Sequence, residues 1–251
     1  GYIYGDGFTF EVENTTKTND GVILHYGRII DGDNAKTGDS VKTAIDSQRR
    51  DAIARNHTAA HLLQAALRKT LGSHVEQAGQ LVNENTVRFD FSHFSAMTSD
   101  ELKTVENEVN NIILSAESVT MTEMPIEEAK KTGAMALFGE KYGDVVRVVK
   151  AGDFSTELCG GTHVSNTGKL GLFKIITETS VAAGVRRIEA VTGTGVLNYI
   201  DSLNSKIFGT AAALKVANPS DIEKKAVSLS NELKEKDREI EALTAQLTEM
   251  R

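Results

Sequence analysis

Phe8, Phe10 and Val12 alternate with polar residues, the period of a strand with one buried face. Two further strand-like stretches follow, Val22–Ile30 and Ser40–Ile45, set off by the turn signals Asn19-Asp20-Gly21 and Asp31-Gly32-Asp33. Residues 1–45 are therefore expected to form a small barrel or sheet. The period then lengthens. Asp46 or Ser47 can cap a helix that runs to about Leu71, with Gly72 ending it. Val87, Phe89 and Phe91 alternate with Arg88, Asp90 and Ser92, which predicts a strand. Thr98-Ser-Asp-Glu101 is a capping box opening a helix to about Ser115. Val119–Met124 reads as a strand, and Pro125 suits the first position of a short helix ending near Gly133. Val145–Lys150, Leu172–Thr177 and Val185–Val191 are further strand candidates. The mixture predicts an α+β fold.

The tail has a different pattern. Ile222, Ala226, Leu229, Leu233, Lys236, Ile240, Leu243, Leu247 and Met250 recur at alternating spacings of four and three. This is a heptad seam interrupted by Lys236, and it calls for a covering helix from another chain or another segment. A single amphipathic helix packed on its own domain is the alternative. Asn218-Pro219-Ser220 reads as a hinge and cap before it. The chain opens at Gly1 within strand-like sequence and stops at Arg251 within a helical pattern, as expected of a fragment of a longer protein.

Composition narrows the class. The 251 residues are 40% hydrophobic and 25% charged, as in an ordinary globular protein. No apolar run is long enough to span a bilayer and no secretory signal opens the chain, so no membrane role is expected. Cys159 is the single cysteine, which excludes a disulfide scaffold and points to a reducing, cytoplasmic setting. The 28 basic and 35 acidic residues leave a net charge of −7. Nucleic-acid binding would thus need a local basic surface, for which Arg49, Arg50, Arg55, Lys169, Lys174, Arg186 and Arg187 are candidates.

His57 and His61 stand four apart within the first predicted helix, so both imidazoles fall on one face where they can share a metal. Such pairs are also often plain surface or core residues. Cys159-Gly-Gly-Thr-His163 adds a thiolate and a third imidazole around a Gly-Gly turn. Three imidazoles and one thiolate suit Zn²⁺ best among common metals, although the two pairs are about a hundred residues apart and only the fold can join them. A buried inert thiol and a loop histidine are the alternatives. His57 is followed by Thr58 and not by a glutamate, so the general base of an H-E-x-x-H metalloprotease is missing.

The stretch Arg55-Asn-His-Thr-Ala-Ala-His-Leu-Leu63 resembles the start of the editing domain of alanyl-tRNA synthetases. So do Gln77-Ala-Gly-Gln-Leu-Val82, Arg88-Phe-Asp-Phe-Ser-His93, Ala134-Met-Ala-Leu-Phe-Gly-Glu-Lys-Tyr142, Gly152-Asp-Phe-Ser-Thr-Glu-Leu-Cys-Gly-Gly-Thr-His163 and Gly184-Val-Arg-Arg-Ile-Glu-Ala-Val-Thr192. Free-standing editing proteins and the threonyl enzyme's editing domain share the histidine and cysteine theme. The heptad tail and the Phe-Gly-Glu-Lys-Tyr segment favour the synthetase, a ligase of protein biosynthesis.

The resemblance implies a truncated β-barrel over 1–45, a zinc-containing editing (tRNA-ester hydrolase) domain over 46–210 and the coiled-coil start of a C-terminal domain over 219–251. The aminoacylation domain would lie N-terminal to this chain. The implied reaction is hydrolysis of mischarged Ser-tRNA(Ala) and Gly-tRNA(Ala). A pocket built for alanine cannot exclude glycine and rejects an added hydroxyl poorly, so a second, hydrolytic site does the sorting. Zinc would be held by His57, His61, Cys159 and His163. Thr58 is the candidate for reading the serine hydroxyl, against the alternative of a bond back to its own helix. Gln77 would bind the aminoacyl group or order water, Gly160 and Gly161 would let the backbone approach the terminal adenosine, and Arg187 would contact RNA. The helical tail would support self-association. A zinc-stabilised binding or oligomerisation module without turnover is the competing reading, because four protein ligands leave no open position on the metal.

Overall fold

A computed structural model describes residues 1–33, 35–135 and 143–250 of the chain, which forms two compact units, Gly1–Gly195 and Val196–Arg251. In the first unit, β1 (Tyr2–Gly5), β2 (Phe8–Lys17), β3 (Ile23–Gly32) and β4 (Lys42–Ala44) form an antiparallel sheet of order β3-β2-β1-β4. Of the barrel or sheet expected here, the sheet is formed, and among the described residues it does not close into a barrel. Closure would require β3 to pair with β4, which is only three residues long, and these two remain the edges of an open sheet. The apolar residues Leu24, Tyr26, Ile29 and Ile30 of β3 are exposed.

Helix α1 (Ser47–Leu71) begins where the Asp46 side chain accepts a hydrogen bond from the Arg49 amide at 2.9 Å. It ends at Gly72, whose φ of +118° lies outside the range most side chains adopt. It packs on a second antiparallel sheet of order β10-β11-β6-β5, made of β5 (Gln77–Val82), β6 (Val87–Ser92), β10 (Phe173–Ala182) and β11 (Val185–Thr192). Helix α2 (Ser99–Leu114) lies against α1 and carries the full capping box between Thr98 and Glu101. The main core joins Ala59, Leu62, Leu63 and Leu67 of α1 to Val105 and Val109 of α2, Phe89 and Phe91 of β6 and Ile188 of β11. The alternation read in Val87, Phe89 and Phe91 therefore marks the buried face of a real strand.

A third sheet, β7 (Val119–Pro125), β8 (Val145–Ala151) and β9 (Ser155–Leu158), completes the unit, with α3 (Ile126–Lys131) between β7 and β8. Pro125 both closes β7 opposite Val145 and stands at the N-cap of α3, one residue before the first helical position expected for it. Strand β9 was not foreseen, nor was α4 (Thr194–Ala213). The Phe-Gly-Glu-Lys-Tyr segment lies outside the described residues.

In the second unit, a 3₁₀ turn over Pro219–Asp221 leads into α5 (Ile222–Glu249), a helix of 28 residues with no buried side chain. Among the described residues no helix is long and apolar enough to cross a membrane.

Candidate metal centre

Helix α1 sets the rings of His57 and His61 one turn apart, with centroids 5.3 Å from each other. The loop after β9 brings in the other pair. The His163 ring lies 4.3 Å from His57 and 4.5 Å from His61, centroid to centroid. Cys159 Sγ is 3.5 Å from His57 Nε2 and 3.3 Å from His163 Nε2. One ligand atom from each of the four residues lies within 4.8 Å of all the others. Tetrahedral zinc with ordinary Zn–N and Zn–S bonds would set neighbouring nitrogen and sulfur ligands about 3.5 Å apart. The residues that sequence spacing left a hundred positions apart thus form one donor set that can hold a metal ion.

The loop is held from below. Arg147 on β8 donates through Nε to the Cys159 carbonyl at 2.9 Å and through Nη2 to the Gly161 carbonyl, and its own carbonyl accepts from the Cys159 amide at 3.0 Å. Gly161 passes so close to His57 that a Cβ would overlap the imidazole. The Gly-Gly turn therefore serves the close approach of loop and helix, while Gly160 faces open space.

The three imidazoles are set to be neutral. Burial lowers the His57 pKa, and the nearby Arg147 charge lowers it further against a backbone hydrogen bond with Thr162. His61 is driven well below its ordinary value by burial and then by His163 and His57. His163 falls to about 3 through burial, then His57 and Arg147. Neutral rings keep the lone pair a metal needs.

Partners behind the rings fix which nitrogen faces inward. The Thr58 hydroxyl donates to the Ala54 carbonyl at 2.9 Å, accepts from the Val164 amide at 3.2 Å and lies 3.1 Å from His163 Nδ1. With its one proton spent on Ala54, it accepts from Nδ1–H and leaves Nε2 toward Cys159. These three bonds engage the hydroxyl's proton and both its lone pairs within the protein. The back-bonding alternative is the one formed. Glu157 faces His61: its Oε2 is 3.5 Å from Nδ1, while its Oε1 accepts from the Ser155 hydroxyl at 3.1 Å. Burial pushes the Glu157 carboxyl up to about 8, opposed by the Ser155 hydrogen bond and the charge of Arg68.

Beside the donors is a cavity of about 160 Å³ lined by His57, His61, Gln77, Gln80, Val82, Glu157, Leu158 and Cys159. Gln77 is therefore at the site. A larger cavity of about 450 Å³ lies at the start of α1, lined in part by Arg49 and Arg50, and contains none of the four donors. Arg187 is not at the small cavity. Its guanidinium forms two 2.7 Å bonds to Asp90, its register partner on β6. Arg49, Lys174 and Arg186 likewise pair with Glu84, Glu106 and Glu178. Reading the sequence missed Glu157, Gln80 and Arg147. A usable signal existed for Glu157, because Ser155, Glu157 and Cys159 alternate along an extended segment.

Residues 146–189 match the family model described as the threonyl and alanyl tRNA synthetase second additional domain. The chain is 53% identical over 247 residues to the alanine–tRNA ligase of Acetivibrio thermocellus, covering 98% of this chain and 28% of that protein. It is 51% identical to alanine–tRNA ligase 1 of Lachnoclostridium phytofermentans with the same coverage. With the alanine–tRNA ligase of Desulforamulus reducens it shares 47% over 243 residues, 97% of this chain and 27% of that protein. The chain thus spans little more than a quarter of the length of these curated relatives. Over nearly its whole length it belongs to the alanine–tRNA ligase family, as its motifs implied.

Proposed function

We propose that the chain is the editing part of an alanine–tRNA ligase, acting in the cytoplasm, and that it hydrolyses the ester of mischarged Ser-tRNA(Ala) and Gly-tRNA(Ala). One observation carries the reading: three neutral imidazoles and a thiol converge beside a cavity of about 160 Å³, room for a small aminoacyl group. His57, His61, Cys159 and His163 would hold Zn²⁺, whose contribution is to anchor the aminoacyl end and orient a water. The rest falls to the chain. Gln77 binds the aminoacyl group or the water from the cavity wall, and Gln80 stands beside it. Val82 and Leu158 keep the cavity apolar on one side. Thr58 acts through the His163 ring. Residues 46–210 form the hydrolytic domain on this reading, preceded by the 1–45 sheet. The 219–251 helix, whose seam is exposed at Leu233, Ile240, Leu243 and Leu247, supports self-association as a coiled coil. The acceptor end of tRNA(Ala) is the partner, and with so many arginines paired internally the chain alone should bind it weakly and with strong salt dependence.

Deacylation of Ser-tRNA(Ala) by the chain tests the proposal, together with elemental analysis. Cys159→Ala should lose zinc and hydrolysis together. Hydrolysis retained without zinc would remove the metal from the mechanism. A closed set of four protein donors favours the second reading, a zinc-stabilised binding module. An intact, zinc-loaded chain that never turns over mischarged tRNA would establish it.

A further inference from the structure

His61 differs from its two neighbours in one respect. The His163 ring is held from behind by Thr58, and His57 by a backbone hydrogen bond with Thr162. The Nδ1 of His61 is buried and has no hydrogen-bond partner. It faces Glu157 Oε2 at 3.5 Å, within range of a charge pair but beyond a good hydrogen bond. Glu157 is itself only 5% exposed, and a carboxyl there needs a reason, since burying one without partners is costly. The main core and the metal donors do not require it. Its Oε1 is engaged by Ser155, which turns Oε2 to the one ring nitrogen left open.

We propose that Glu157 is a positioning residue of the metal centre, its Oε2 accepting from His61 Nδ1–H so that the ring presents its Nε2 lone pair to the ion. Ser155 aims the carboxylate. Oε1 is held by Ser155 and Oε2 faces His61, so the residue reaches the ion through that ring. A carboxylate behind a ligating imidazole fixes its tautomer and raises its basicity, and loss of such a partner usually weakens metal binding 10- to 100-fold. The inference rests on the metal reading above, and its test does not depend on turnover.

The test is Zn²⁺ binding by the full 251-residue chain, measured by competition with a chelator of known affinity. Glu157→Gln keeps the shape and replaces one acceptor oxygen with an amide nitrogen that cannot accept. Its zinc dissociation constant should rise about 10- to 100-fold. Glu157→Asp, which keeps the carboxyl, should recover part of that loss, and Ser155→Ala should show a smaller rise. Thermal unfolding separates this from general damage: the metal-free forms should melt close to the parent, while the increment that zinc adds should shrink. A Glu157→Gln chain that binds zinc as tightly as the parent overturns the assignment, as does an equal drop in melting temperature with and without zinc. A parent that binds zinc but does not deacylate would sink the proposed reaction and leave the role of Glu157 standing.

Discussion

Two long helices of similar length have opposite fates. Helix α1 has 25 residues, and its buried positions include Leu62, Leu63, Ala66 and Leu67 but also His61 and Gln64. Helix α5 has 28 residues and buries none, leaving Leu233 65% and Leu247 67% exposed. Sequence signals predicted both helices, α1 from its cap and its closing glycine and α5 from its heptad spacing. They could not say what covers each, because helical spacing describes one chain segment and burial is a property of its neighbours. Two of the four metal donors, His57 and His61, lie on the helix that is gripped on several sides. Rings placed there keep their relative positions, whereas rings on α5 would have only the helix backbone to hold them.

The sharpest way to break the comparison is to cut into the packing of α1. Leu63 is fully buried in the main core. Leu63→Ala should lower stability by about 2–5 kcal/mol, the usual cost of a cavity in a core that cannot fully relax. Denaturant unfolding followed by circular dichroism measures it. A loss under about 1 kcal/mol would mean that this part of the core collapses around the gap, and that α1 is held more loosely than its burial implies.

A smaller effect comes from the same helix one turn earlier. Thr58→Val removes the oxygen that accepts from the Val164 amide and from His163 Nδ1, and leaves both buried N–H groups unpaired. The expected cost is about 1–3 kcal/mol. Zinc affinity should fall as His163 loses its orienting partner. Deacylation of Ser-tRNA(Ala) and Gly-tRNA(Ala) should then drop in parallel, because the defect lies in the metal centre and not in recognition of a hydroxyl. A loss confined to the seryl substrate would restore Thr58 as a reader of the serine side chain.

Most of the site could be read from residues, and the failures have physical causes. The four donors were legible because a helix converts i,i+4 spacing into a shared face and a Gly-Gly turn is a rare device for close approach. The bonds of Thr58 were not legible because a hydroxyl beside a ligand has two directions to point, and only the neighbouring loop, through Val164 and His163, decides between them. The Arg187–Asp90 pair was not legible because it depends on register: β11 sets Arg187 opposite Asp90, a pairing no local pattern encodes. The barrel failed for a related reason. Alternation predicts strands but does not fix which edges meet, and β4 is too short to close on β3. Glu157 passed unnoticed because a lone glutamate before a cysteine looks like a surface acid until the fold buries it.

The smallest predicted effect returns to α5. Leu243 is 53% exposed, and alanine is the better helix former, so Leu243→Ala removes little packing from this chain. At low protein concentration its stability should change by no more than about 0.5 kcal/mol, in contrast to Leu63→Ala. The same substitution also asks what the seam is for. If α5 pairs with a second copy through its heptads, the parent should melt at a temperature that rises with concentration, and Leu243→Ala should weaken that dependence. Sedimentation of parent and variant over the same concentrations reads this directly. A monomeric parent with concentration-independent melting would remove self-association from the tail, and its apolar seam would then need another covering segment.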